Sequence, residues 1–219
     1  MVFKNLPTGQ AIHKEITQRA AEFVFCAQNV AASKLRVEKL IGWERPQRGW
    51  FKLNTDGSSL GNLGMSGGGG ILRNDAGLWV HAFSRHIGTT TSFLAELWAL
   101  RDGLIMCQNL QINALEIELD AKIIANLMND SSNTNAVNSA MVADCRLLIS
   151  QVPQVKVMHC YWETNRCVDG LARVGNKQLD ADIMHYNAPP PCLRDCYLSD
   201  LYGLYHVRIC PNSDVAVLL

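Results

Sequence analysis

The feature that most constrains this chain is a change of hydrophobic period near residue 90. Before it, residues 51–84 alternate apolar and polar side chains with a period of two. Phe51, Leu53 and Thr55 interleave with Lys52 and Asn54, which predicts a strand ending at Asp56. Residues 69–73 and 78–84 predict two further strands, joined by an Asn74-Asp75-Ala76-Gly77 hairpin turn. Short turns between successive strands imply an antiparallel meander. After residue 90 the period becomes helical. Phe93, Leu97, Leu100 and Leu104 share one face, and Thr91 or Ser92 can cap the start. Strands over 114–119 and 155–161 then alternate with helices over 121–129, 135–150 and 165–174. In the middle helix Val137, Met141 and Leu148 face inward, and in the last Val168, Leu171 and Ala172 do. The order β-β-β-α-β-α-α-β-α predicts an α/β fold, a mixed sheet with helices on its faces.

The flanks read differently. Residues 11–40 contain no proline or glycine and many good helix formers, so residues 1–45 are expected as a helical extension and linker. Pro46 and Gly49 break that pattern. A central domain is expected over 46–177. Residues 178–219 are expected as a tail whose segment NAPPPCLRDCYL, residues 187–198, is an extended surface run.

Composition narrows the function classes. Of the 219 residues 48% are hydrophobic and 18% charged, enough for a sizeable core. The formal net charge is zero, so charge alone does not announce a nucleic-acid partner. No apolar run is long enough to span a bilayer. The start, MVFKNLPTGQ, lacks the pattern of a secretory signal. The chain is therefore expected to be intracellular, with its eight cysteines reduced and mostly buried. Cys192, Cys196, His185 and Cys210 have a loose spacing that zinc tolerates, but packing or surface thiols explain it as well.

Four acids fall at places where chemistry is done. Asp56 ends the first strand, Asp120 ends the fourth, Glu96 lies early in the first helix and Asp169 in the last. If the first and fourth strands are neighbours, Asp56 and Asp120 meet at one sheet edge, and a helix crossing that edge brings Glu96 to them. Clustered carboxylates raise each other's pKa, and a hard divalent cation with oxygen ligands relieves that cost. Two such ions roughly 4 Å apart suit phosphodiester hydrolysis. Each acid also has a plain reading: solvated strand ends for Asp56 and Asp120, a helix-dipole contact for Glu96, and an ion pair along the helix for Asp169, which sits between Arg166 and Arg173.

The runs KLNTDGS, GGGGILRNDAGLWVHAFSRHIG, FLAELWALRDGL, ALEIELDA and HCYWETNRCVDGLAR occur in this order. Together they resemble the ribonuclease H-like domain of plant proteins related to non-LTR retroelements, part of the type 1 ribonuclease H group. The resemblance spans roughly residues 43–177, with a fainter echo in PPPCLRDCYLSDLYG. It implies a five-stranded mixed sheet of order 3-2-1-4-5 flanked by helices. It also implies that Asp56, Glu96, Asp120 and Asp169 bind two magnesium ions, with manganese as a substitute, and that His159 assists proton transfer or product release. Gly57, Ser58 and Asn165 would contact the substrate. The implied reaction is hydrolysis of the RNA strand of an RNA–DNA hybrid, leaving a 5′-phosphate and a 3′-hydroxyl. The rivals are a nucleic-acid-binding module that has lost activity and another two-metal nuclease of this fold group.

The chain departs from that pattern in three places. Ala121 stands where relatives often carry serine. Cys160, Tyr161 and Trp162 replace a more polar loop. No concentrated basic protrusion is visible, and phosphate contacts supply most non-specific affinity, so weak binding by this domain alone is expected.

Overall fold

The computed structural model describes residues 36–61, 63–130, 140–180 and 182–211. The expected helices of the first 35 residues, and residues 135–139 of the expected middle helix with Val137, lie outside them. The elements are β1 (Arg36–Ile41), β2 (Phe51–Ser59), β3 (Gly64–Arg73), β4 (Trp79–Thr90), α1 (Ser92–Asn109), β5 (Ala114–Leu119), α2 (Lys122–Asn129), α3 (Ala140–Ser150), β6 (Gln154–His159), α4 (Trp162–Lys177), β7 (Ile183–Tyr186), a 3-10 turn (Pro191–Leu193), α5 (Arg194–Leu201) and β8 (His206–Pro211).

The main sheet has the order β6-β5-β2-β3-β4-β7. Its antiparallel half comes from the meander β2-β3-β4. β5 pairs parallel to β2, and β6 parallel to β5. The five expected strands thus run β4-β3-β2-β5-β6, and the sheet has a sixth. That strand, β7, pairs antiparallel with the edge of β4, matching Phe83 with His185.

Each face of the sheet carries its own core. On one side Phe93, Leu97, Leu100 and Leu104 of α1 bury against Leu53, Leu72 and Phe83, with α2 and α3 adding Ile124, Leu127, Val142 and Cys145. Thr91 caps α1, its Oγ1 accepting from the Leu94 amide at 3.3 Å. On the other side Val168 and Leu171 of α4 pack on Ile71 and Ala82, and Leu193 and Tyr197 close that cluster. The strand expected over 69–73 starts earlier, so that the whole glycine run 67–70 lies inside β3. A Cβ at Gly67 would lie 2.4 Å from the Ala172 oxygen and 2.4 Å from the Asn176 nitrogen, so bare backbone there is what lets α4 lie flat on the strand.

Both flanks need correction. Residues 36–41 form a strand rather than the end of a helix, because β8 pairs with them along their whole length, Arg36 opposite Pro211 and Ile41 opposite His206. Trp43 is buried as well, its Nε1 donating to Asn54 Oδ1 at 3.0 Å. The expected extended tail instead supplies β7, α5 and β8. Of the segment expected to be extended, Pro190 is so, at φ −63°, ψ 152°, whereas Pro191–Leu193 form the 3-10 turn and residues from Arg194 on are helical. A buried ion pair ties this segment down: Arg73 Nη1 reaches Asp200 Oδ2 at 2.9 Å, both side chains nearly inaccessible. The Arg73 guanidinium also stacks 4.2 Å from the centre of the Trp43 ring.

Candidate active site

Parallel pairing sets Thr55 of β2 beside Leu119 of β5. The next residues, Asp56 and Asp120, therefore lie side by side: Asp120 follows the end of β5, whereas β2 runs on to Ser59 rather than ending at Asp56, which still pairs with Gly69 of β3. α1 crosses β2 at this level because residue 57 is glycine; a Cβ there would lie 2.1 Å from the Glu96 nitrogen. The Gly57 amide donates to Glu96 Oε2 at 3.1 Å and turns that carboxylate toward the strand ends. One carboxylate oxygen each from Asp56, Glu96 and Asp120 lies within 4.8 Å of the others. Asp56 and Glu96 are each only 6% exposed.

Burial dominates the electrostatics. It raises the Asp56 carboxyl well above its ordinary value, with the Asp120 and Asp169 charges adding to the shift and Arg173 opposing it. Burial raises Glu96 in the same way, reinforced by Asp120 and Asp56 and opposed by the Gly57 amide. Asp120 rises to about 6, again through burial, held back by a hydrogen bond from the Asn165 side chain. Three desolvated acids of this kind are stable only as proton holders or as ligands of a hard cation.

Asp169, the fourth expected acid, stands beside the trio and acts on all three electrostatically. Its carboxylate is engaged by Arg173 one turn along α4, Nε to Oδ1 at 3.0 Å and Nη2 to Oδ2 at 3.0 Å. The structure thus gathers three of the four acids, and the ion pair along the helix holds the fourth.

His159 ends β6 opposite Leu119. Its exposed ring stands edge-on to Tyr161 at 5.6 Å. Partial burial and then the Lys122 charge lower its pKa, while a hydrogen bond with the Asp120 main chain opposes them. Asn165 takes a position different from the expected substrate contact. It is 1% exposed, and its Nδ2 donates to the Thr55 carbonyl at 3.1 Å, so it positions β2 and Asp120. Its buried Oδ1 has no hydrogen-bond partner. Gly57 is buried under α1, whereas half-buried Ser58 accepts from Asn176 Nδ2 at 3.1 Å.

The zinc alternative does not assemble. His185 turns to His81, ring nitrogens 3.1 Å apart. Cys196 is hydrogen-bonded to Cys167, both as free thiols, and Cys210 is buried. Among the other acids, Asp102 pairs with Arg85, and Glu116 and Glu118 with Lys52. Sequence reasoning missed Glu163, whose carboxylate takes both contacts of Arg208 at 2.9 Å. Its partner lies in β8, and nothing local signals that pairing.

A mixed sheet with three acids converging where parallel strands end, helices on both faces, defines an α/β protein of ribonuclease H-like fold. Comparison with known proteins agrees. Residues 54–175 match the family described as "Reverse transcriptase-like", and the chain belongs to that family. An Arabidopsis thaliana protein named "Putative ribonuclease H protein" is 36% identical over 143 residues, covering 65% of this chain and 23% of that relative. The chain therefore spans about a quarter of that relative's length. Among solved structures, ribonuclease H1 from the halophilic archaeon Halobacterium salinarum NRC-1 superposes with a TM-score of 0.54 at 23% identity, covering 58% of this chain and 97% of that one. LC11 ribonuclease H1 in complex with an RNA/DNA hybrid gives 0.50 at 25% identity, covering 57% and 94%. No helix among the described residues is long and apolar enough to cross a membrane.

Proposed function

We propose that this chain is a divalent-metal-dependent endoribonuclease of type 1 that hydrolyses the RNA strand of RNA–DNA hybrids. The observation that carries this reading is the convergence of buried Asp56 and Glu96 with half-buried Asp120, their oxygens within 4.8 Å of one another. The relative named for ribonuclease H and the similar fold seen bound to a hybrid support the same substrate class.

The donor set fits a hard cation: all oxygen, mutually repelling and poorly solvated. Asp56, Glu96 and Asp120 would hold magnesium or manganese, with Asp169 joining once Arg173 yields. A bound ion pair there supplies charge neutralisation at the scissile phosphate and activation of the attacking water. The chain's own groups do the rest. Asn165 and Gly57 fix the carboxylates. His159, exposed beside Asp120, can take or give a proton at its ring nitrogen. Ser58, two residues beyond Asp56 on β2, would meet a sugar or phosphate oxygen. Specificity for a hybrid would come from groove shape and the 2′-hydroxyl rather than from base edges.

A second reading is a nucleic-acid-binding module without activity. It is favoured by one observation, the capture of Asp169 by Arg173. Incubating the full chain and magnesium with labelled hybrid, duplex DNA and duplex RNA decides between them. The nuclease reading expects cleavage of the hybrid's RNA strand alone, with 5′-phosphate products. Binding to the hybrid without cleavage would establish the module.

A further inference from the structure

The ribbon formed by β1 and β8 lies outside residues 54–175, the part that matches the family. Its register sets Lys39 opposite Arg208, and both cations reach the same ring. Lys39 Nζ lies 5.4 Å and the Arg208 guanidinium 4.5 Å from the centre of Tyr161. Tyr161 in turn stands edge-on to His159 at 5.6 Å. One aromatic side chain thus joins the ribbon to the histidine beside the catalytic acids. The two cations differ in what they are free to do. Arg208 is held by both oxygens of Glu163, so it fastens the ribbon to α4. Lys39 is exposed and, among the described residues, pairs with no carboxylate. Lys122, first residue of α2 and two residues past Asp120, is likewise exposed and unpaired among them, and its charge is felt at His159. Between ribbon and sheet lies a cavity of about 240 Å³ whose walls include Lys39, Ile41, His159 and Tyr161. Two acids also line it: Glu118 is neutralised by Lys52, while Glu44 stays free of ion pairs. Glu38 falls on the opposite face of the ribbon, alternating with Lys39.

We infer that Lys39 and Lys122 form a phosphate-contacting surface for the hybrid's sugar–phosphate backbone on the His159 side of the acids, with the β1–β8 ribbon as its mount. This rests on the hybrid-nuclease reading. It answers a difficulty of that reading: the chain has no net charge and its sequence shows no concentrated basic run, yet phosphate contacts supply most of the affinity of such complexes. Two lysines near His159, unpaired among the described residues, would place positive charge beside the acids.

The test uses the full chain carrying Asp120→Asn, so that hybrid is held and not cut, with fluorescence anisotropy of a labelled hybrid from low to moderate salt. Lys39→Ala and Lys122→Ala are each expected to weaken binding about 3- to 10-fold and to lower the salt slope by about one contact. Lys39→Arg is expected to keep both. Lys177→Ala, roughly 24 Å away along α4 at 1.5 Å per residue, is expected to change neither. Unchanged affinity and slope in Lys39→Ala, or a loss that Lys39→Arg fails to restore, overturns the inference and leaves the nuclease reading standing. Failure of the Asp120→Asn chain itself to bind hybrid overturns both.

Discussion

The main-chain amide of Gly57 donates to the Glu96 carboxylate at 3.1 Å, and a Cβ on residue 57 would sit 2.2 Å from the Ala95 carbonyl carbon. The strand carrying Asp56 and the helix carrying Glu96 are therefore in backbone contact at the site. Gly57→Ala is expected to push α1 outward, destabilising the fold by about 3 kcal/mol, the upper range for overpacking. A 1 Å displacement of Glu96 would slow hybrid cleavage about 100-fold. Denaturant unfolding and single-turnover cleavage measure the two effects.

The raised acids make the metal-free protein pH-sensitive in a defined direction. Unfolded carboxyls titrate near pH 4, whereas Asp120 is raised to about 6 and Asp56 and Glu96 well above their ordinary values. Between these limits the folded state binds more protons than the unfolded one, so stability falls as pH rises. The metal-free protein is expected to melt at a lower temperature at pH 8 than at pH 5, with magnesium restoring most of the difference. Asp120→Asn should raise the metal-free melting temperature at pH 8 and shrink the magnesium effect. Thermal melts with and without chelator check both expectations.

Arg173 competes with any cation for Asp169. Its side chain is 69% exposed, and exposed pairs of this kind contribute little, about 0.5 kcal/mol. Arg173→Ala is expected to leave the melting temperature nearly unchanged and to lower the magnesium concentration needed for half-maximal cleavage. An unchanged magnesium requirement would show that Asp169 takes no part in holding the ion.

The Arg73–Asp200 pair tests whether the C-terminal segment belongs to the fold. Asp200→Ala leaves the Arg73 charge buried, at 1% exposure, without its counter-ion. A loss of about 3–5 kcal/mol is expected on denaturant unfolding.

Ala121 occupies the N-cap of α2 and makes no side-chain capping bond. Ala121→Ser is expected to add about 1 kcal/mol of stability, measured by the same unfolding assay. A destabilised variant would show that this buried position, 3% exposed, has no room for a hydroxyl.

The central strands and helices were legible because one face of each is buried, which writes period two or period 3.6 into the residues. Phe93, Leu97, Leu100 and Leu104, read as one face, are all buried. The acids were legible because they sit at strand ends and on helices in a familiar order. What stayed hidden depends on partners distant in sequence. Residues 36–41 are as polar as they are apolar and read as the end of a helix; only pairing with β8 makes them a strand. The early start of β3 stayed hidden because glycines 67 and 68 carry no apolar pattern; they are in the strand with α4 packed against Gly67. Arg173 was visible as a helical neighbour of Asp169, but spacing cannot decide between an ion pair and a metal. Burial of Asn165, which removes it from the substrate surface, has no local signature.

The central claim is that three converged carboxylates bind a divalent cation and use it to cut RNA paired to DNA. The most direct measurement is magnesium-dependent, single-turnover cleavage of a labelled hybrid by the wild-type chain and by Asp120→Asn side by side. The account predicts cleavage by the wild type that chelator abolishes, and none by the variant although it still binds hybrid. Equal cleavage by both proteins, or cleavage that survives the chelator, would contradict it.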